Sequence, residues 1–214
     1  MFLDKLCKTN PNLIQIAVHM HQQKQIMPDT YVVDVDQFIA NAKAILQKAN
    51  EQNIELYYML KQIGRNPYLA MELEKVGYKG AVVVDFKEAE VMMKYHLHIA
   101  HAGHLVQIPS MMINQLVEYG CDYITVYSYE KLVEINEAAK KVGISQKICI
   151  RVIGENDRIY SGQTAGFYLD QLEELVQKAK NLTHIEIAGV DNFPCFLYDE
   201  TTKQIEAQEN LFKM

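Results

Sequence analysis

Tryptophan is absent from this 214-residue sequence, and so is any basic stripe: 21 lysines and arginines stand against 27 aspartates and glutamates, a net charge of −6. The electrostatic footprint that nucleic-acid binding requires is therefore missing, and a small molecule is the expected partner. Long apolar runs are missing too. The best one near the N-terminus, "LIQIAV" at 13–18, is broken by Gln15 and is too short for a secretory core or a membrane span, so a cytoplasmic protein is expected. Cysteine is scarce: Cys7, Cys121, Cys149 and Cys195 show no CxxC and no His/Cys ligand spacing. That excludes a disulfide framework and a zinc site, and the four read as small buried hydrophobes. No GxGxxG follows a strand-like run and no GxxxxGK[ST] occurs, so the two common phosphate loops of doubly wound folds have no support.

What is present is a regular alternation. A leading helix is expected over about residues 2–25. Short β-rich runs then alternate with amphipathic ones: "YVVDV" (31–35), "LYYML" (56–60), "GAVVVDF" (80–86), "HIAHAGHLVQI" (98–108), "YITVYS" (123–128), "KICIRVI" (147–153) and "HIEIAGV" (184–190). Helices open at Asn66-Pro67, at Ser110 after Pro109, and at Ser128, and stop at Gly77, Gly120 and Gly143. Nearly continuous apolar strands such as "AVVVD" imply burial on both faces, hence a parallel α/β sheet with helices outside, doubly wound or barrel.

In such sheets ligands sit at the carboxyl ends of the strands. The residues expected there are Lys61, Asp85, His101, His104, Gln107, Ser128, Arg151, Arg158, Asp191, Asn192 and Phe193. Lys61 is the sharpest. A lysine at a barrel mouth flanked by Tyr57, Met59 and Leu60 would be partly desolvated, freeing its amine for a Schiff base, or it would simply snorkel into water. His101 and His104, three apart on one strand, are expected on opposite faces, with no carboxylate at ligand spacing and hence no metal. Asp85 reads as a helix cap. The loop 154–167, with three glycines and Arg158, is expected over the carboxyl end of the sheet; Arg158 offers a fork for a carboxylate or is solvated.

The stretches "YYMLKQIGRNP", "HAGHLVQIP" and "DRIYSGQTAGF" together resemble the alanine-racemase-like, fold-type III pyridoxal phosphate proteins, in the YhfX-like branch. The resemblance covers essentially the whole chain. It implies a (β/α)8 TIM-type barrel over residues 31–214 after a helical lead-in at 1–30. It also implies a pyridoxal 5'-phosphate cofactor held as an aldimine by Lys61 at the end of the first barrel strand, with 31–35 as a lead-in strand. Arg158 falls near the family's arginine that approaches the cofactor's phenolic oxygen and the substrate carboxylate. Phe193 falls where racemases lay a histidine against the pyridine ring. Arg65 replaces a tyrosine near the cofactor phosphate, and His104, Gln107, Ser128 and Arg151 complete the expected cofactor contacts.

The function so implied is an amino-acid racemase, working as a homodimer on a small-molecule amino acid. The alternatives are a decarboxylase of the same fold, a non-catalytic pyridoxal phosphate holder, and a cofactor-free barrel using Lys61 for aldolase-type chemistry. The barrel is expected to be incomplete, ending after about six strands in the polar stretch "LYDETTKQIEAQENLFKM", which does not read as a strand. On that reading the chain by itself would bind the cofactor weakly and racemise nothing.

Overall fold

Polar side chains set where the helices begin in the computed structural model, which describes residues 2–207. The chain forms two units, residues 1–54 and 55–214. In the first, the single helix expected over 2–25 is two helices, α1 (Phe2–Thr9) and α2 (Pro11–Gln22). Asn10 makes the break: its side chain accepts the Leu13 N–H at 3.1 Å, and Pro11, which has no N–H to lose, takes the first helical position. The run at 31–35 is not a strand. Asp34 within it accepts the Gln37 N–H at 3.0 Å and caps α3 (Val35–Asn50), so the local cap prevails over β-branched propensity.

The second unit is built on a parallel sheet of β1 (Ala81–Val82), β2 (Ile99–Ala102), β3 (Tyr123–Val126), β4 (Gln146–Arg151) and β5 (Ile185–Asp191), neighbours in sequence order. The intervening helices are α4 (Pro67–Val76), α5 (Phe86–Lys94), α6 (Ser110–Tyr119), α7 (Tyr129–Val142) and α8 (Leu172–Ala179). Their starts are capped as expected, by the side chains of Asn66, Asp85 and Ser128, except that Pro109 holds the cap position of α6. The run "LYYML" contributes only a parallel bridge from Tyr58 to Ala81 on the outer side of β1. With that bridge, six consecutive segments lie side by side, the arrangement expected of a barrel's first six.

The core lies between sheet and helices. Ala100, Ala102, Ile124, Val126, Ile148 and Ile150 on the helix side of the sheet, and Met92, Leu116, Leu132 and Ile135 on the helices, are all at most 1% exposed. Strand β5 differs, alternating between half-buried and exposed positions. The polar stretch after it was expected to hold no strand, yet β6 (Phe196–Asp199) and β7 (Gln204–Ala207) pair as an antiparallel hairpin separate from the parallel sheet. The Asp199 carboxylate makes the turn, accepting the N–H groups of Thr201 and Thr202 at 2.7 and 2.8 Å. The last seven positions of that stretch, 208–214, lie outside the described residues. Of the cysteines, Cys121 is buried and Cys149 and Cys195 are half-buried, but Cys7 is exposed.

Candidate functional site

Lys61 opens a 3-10 turn, Lys61–Ile63, directly after the buried Leu60. The chain cannot continue as a strand there because the Leu60 carbonyl accepts the N–H groups of Ile63 and Arg65 at 3.0 and 3.1 Å, folding the backbone back on itself. Lys61 is therefore exposed, where partial desolvation was expected, and its amine has no hydrogen-bond or ion-pair partner among the described residues. The segment in front of it is held by Glu88 on α5. This carboxylate is fully buried and accepts the Leu60 and Val84 N–H groups, each at 2.8 Å.

At the carboxyl ends of β2 to β5 a chain of hydrogen bonds runs across the sheet. His101 Nε2 lies 2.6 Å from Thr125 Oγ1, Thr125 Oγ1 lies 3.3 Å from Asp191 Oδ2, and the same carboxylate meets His104 Nδ1 at 3.1 Å. Proton counting fixes the directions. A carboxylate can only accept, so the single Thr125 proton goes to Asp191, and His101 must donate from Nε2 and His104 from Nδ1. Burial acts to raise the Asp191 carboxyl, but the bond from His104 and the nearby His104, His101 and Arg151 outweigh it and hold the group below the usual carboxylate range.

His101 and His104 were expected on opposite faces of one strand; their rings lie 5.7 Å apart. Strand β2 ends at Ala102, and Gly103 turns the chain at φ +83, which voids the two-residue alternation. A Cβ at Gly103 would come within 2.5 Å of the Thr125 carbonyl oxygen. Tyr127 pins the same turn, its hydroxyl 2.7 Å from both the Gly103 and the His104 carbonyls.

Burial, less the opposing pull of Asp191, brings the His101 imidazole down to about 4. The unfolded chain then binds a proton between about pH 6.5 and 4 that the folded chain refuses, so stability falls as pH drops through this window. Urea unfolding of the wild type is expected to show this loss, at up to about 3 kcal/mol, and His101→Gln, which can still donate to Thr125, is expected to remove that part of the slope. Superimposable pH profiles would refute the assignment.

Arg151, at the end of β4, is 1% exposed. Its Nη2 donates to the Phe193 carbonyl, its guanidinium lies 5.9 Å from the Tyr127 ring centre, and its Nε and Nη1 find no hydrogen-bond acceptor among the described residues, the Asp191 carboxylate standing 4.0 Å from Nη1. The Phe193 ring meets His104 edge-on at 5.1 Å and Tyr160 at 6.0 Å. His104, Arg151 and Phe193 thus converge, joined by Thr125, Tyr127, Tyr160 and Asp191. Of these additions only Asp191 stood in a position that strand-end reasoning marks.

The other expected contacts are engaged elsewhere. Arg65 donates to Asp85 at 2.6 Å, although its buried Nε lacks an acceptor among the described residues. Ser128 caps α7 by accepting the Lys131 N–H at 3.3 Å, and exposed Arg158 pairs with Glu206 of β7 at 3.6 Å. Gln107 accepts the Tyr127 N–H at 3.3 Å and lines a cavity of about 360 Å³ between the turn after β2, Tyr127 and residues 161–163 and 165 of the loop. None of the lining residues is charged, and Gln163 Oε1 in this wall is buried without a partner among the described residues. No cluster of three or more potential metal ligands occurs among the described residues.

Residues 33–214 match the family profile of the alanine racemase N-terminal domain. The chain belongs to that family. It is 44% identical over 211 residues to a protein of Escherichia coli (strain K12) described as "Uncharacterized protein YhfX", covering 99% of this chain and 54% of the relative, so it spans about half the relative's length. Solved structures share the alanine racemase N-terminal fold. Diaminopimelate decarboxylase from Helicobacter pylori, complexed with L-lysine, superposes with a TM-score of 0.63 at 20% identity, over 81% of this chain and 46% of that one. D-threonine aldolase from Filomicrobium marinum gives 0.59 at 18% identity, over 74% and 42%. Alanine racemase of Clostridium difficile 630 gives 0.57 at 20% identity, over 75% and 40%. Among the described residues no helix is long and apolar enough to cross a membrane.

Proposed function

We propose that this chain is the cofactor-carrying part of a pyridoxal-phosphate-dependent amino-acid racemase, a cytoplasmic homodimer acting on a small amino acid. The observation that carries the reading is the exposed Lys61 amine, without a partner among the described residues and set immediately after the edge segment of a parallel sheet in a chain of the alanine racemase N-terminal family. The residues suit the cofactor. An aldehyde needs an amine, which Lys61 offers; a planar ring needs flat apolar partners, which Phe193 and Tyr160 offer; and its polar substituents need donors, which the orphaned N–H groups of buried Arg151 supply.

When bound, pyridoxal phosphate supplies an electron sink that makes the α-hydrogen of an attached amino acid acidic. Lys61 would hold the aldehyde, and its Nζ, when free, would carry a proton. Arg151 orients whatever anionic or polar group lies against Nε and Nη1. The uncharged cavity beside Tyr127 supports a substrate with a neutral side chain rather than an acidic or basic one.

The natural full-length protein, loaded with pyridoxal phosphate and treated with borohydride, is expected to carry the reduced cofactor on the Lys61 peptide and to interconvert L- and D-alanine on chiral chromatography. Reduction at another lysine would overturn the assignment. Carbon dioxide release without interconversion would replace racemisation by decarboxylation.

A further inference from the structure

The chemistry proposed for Lys61 needs an amine delivered from a fixed place, yet its side chain is exposed and the segment in front of it makes a single sheet bridge, at Tyr58. We propose that the ion pair between Arg65 and Asp85 is the positioning element for Lys61: it closes the Lys61 turn against the start of α5 and so sets where the amine meets an aldehyde. The proposal rests on the function proposed above. It concerns residues tied to Lys61 through its own turn.

The carboxylates of Asp85 and Glu88, on the first turn of α5, divide their four oxygens between two tasks. Asp85 Oδ1 accepts the Glu88 N–H at 2.9 Å and Glu88 Oε2 accepts the Val84 N–H at 2.8 Å, which secures the start of α5 itself. The other two oxygens reach across to the lysine segment. Glu88 Oε1 accepts the Leu60 N–H at 2.8 Å in front of Lys61, and Asp85 Oδ2 accepts from Arg65 Nη2 at 2.6 Å behind it. Between these anchors the Leu60 carbonyl takes the Ile63 and Arg65 N–H groups, so both backbone polar groups of Leu60 are committed. The backbone that carries Lys61 is clamped at both ends while its side chain stays free to react.

The rear anchor sits on unfavourable backbone. Gly64 at φ +71 is followed by Arg65 at φ +55, and a residue with a side chain keeps a left-handed conformation only where its surroundings enforce it. The start of α4 does not call for a charge there, since Asn66 caps that helix alone, accepting the Tyr68 and Leu69 N–H groups. What Arg65 adds is the bond to Asp85. The two side chains are 33% and 21% exposed, so their attraction is screened less than that of a fully solvated pair.

The test offers the natural full-length protein either pyridoxal phosphate or pyridoxal, which differ only in the phosphate, and follows the borohydride-trapped adduct on the Lys61 peptide over time. In this reaction the neutral amine adds to the aldehyde carbon, a C=N bond replaces C=O, and the oxygen leaves as water with the two amine protons. Asp85→Asn keeps an oxygen to cap α5 but turns an amide N–H toward Arg65, donor against donor. It is expected to slow capture of both aldehydes by the same factor, about 10- to 100-fold, with a melting curve close to wild type. Arg65→Ala is expected to match it, and the double variant to be no slower than either single change. Arg65→Lys, which keeps a cation opposite Asp85, is expected to recover most of the rate.

Unchanged capture in Asp85→Asn would overturn the proposal. A loss in Arg65→Ala confined to pyridoxal phosphate would do the same by making Arg65 a phosphate contact, and a loss that Arg65→Lys does not recover would reduce the pair to a structural role. Should the variants fail to fold, the wild type decides: hydrogen exchange at the Ile63 and Arg65 amides is expected to be as slow as at Leu60, and exchange more than about 100-fold faster would show an open turn and refute the clamp. Trapping on Lys61 that these variants leave untouched overturns this inference alone; a wild type that traps neither aldehyde on Lys61 overturns the underlying function as well.

Discussion

Lys61→Ala is expected to abolish covalent, borohydride-stable attachment of pyridoxal phosphate while leaving the fold unchanged. The second half of that statement makes the first informative. The Lys61 side chain is exposed and holds no partner among the described residues, so truncating it removes no packing and strands no donor. Surface changes of that kind usually stay within about 0.5 kcal/mol of wild type. A lost adduct with an unchanged melting curve can then be assigned to the missing amine. Mass spectrometry of the reduced, digested protein reads the outcome directly: a reducible adduct of undiminished yield in Lys61→Ala would place the aldehyde on another lysine.

The other large effect lies one layer deeper. Glu88→Ala is expected to cost about 2–5 kcal/mol, because the buried carboxylate is the acceptor for two backbone N–H groups, Leu60 and Val84, and each buried donor left unmet costs about 1–3 kcal/mol. Strand pairing cannot absorb the loss, since the segment before Lys61 makes a single bridge at Tyr58 and β1 is two residues long. Glu88→Gln, which keeps one oxygen but turns a donor toward the other N–H, is expected to fall between the two. Urea unfolding measures the cost, and hydrogen exchange at the Leu60 amide shows whether the segment loosens first. A change below about 1 kcal/mol would mean that the fold reroutes these bonds.

What could be read from the sequence was what is decided locally. The caps at Asn66, Asp85 and Ser128 each satisfy N–H groups two or three residues ahead, so residue type and spacing suffice to find them. The succession of strands and helices follows from the same signals, and the parallel α/β fold from the apolar strands. Strand ends were harder. "HIAHAGHLVQI" reads as one strand because its residues favour one, yet the turn at Gly103 stops it at Ala102. Lys61 was found by its place in a motif, while its exposure depends on the Leu60 carbonyl capturing two later N–H groups.

The hydrogen-bond chain at the site was the least legible part. Thr125 and Asp191 are 66 residues apart and His104 and Asp191 are 87 apart, and no local pattern links partners that meet across intervening strands at one end of the sheet. Glu88 looked like one more charged residue on a helix. Only the fold shows that its carboxylate points inward.

Gly103 also limits how this protein can vary. The obstacle to a side chain there is the carbonyl oxygen of Thr125, part of the backbone of β3, and no rotamer change can move it aside. Alanine at that position would have to displace a whole strand, and with it the hydroxyl of Thr125 that joins the two halves of the network. The interval between His101 and His104 is thereby locked. Shortening, lengthening or re-aiming the turn requires rebuilding β2 and β3 together.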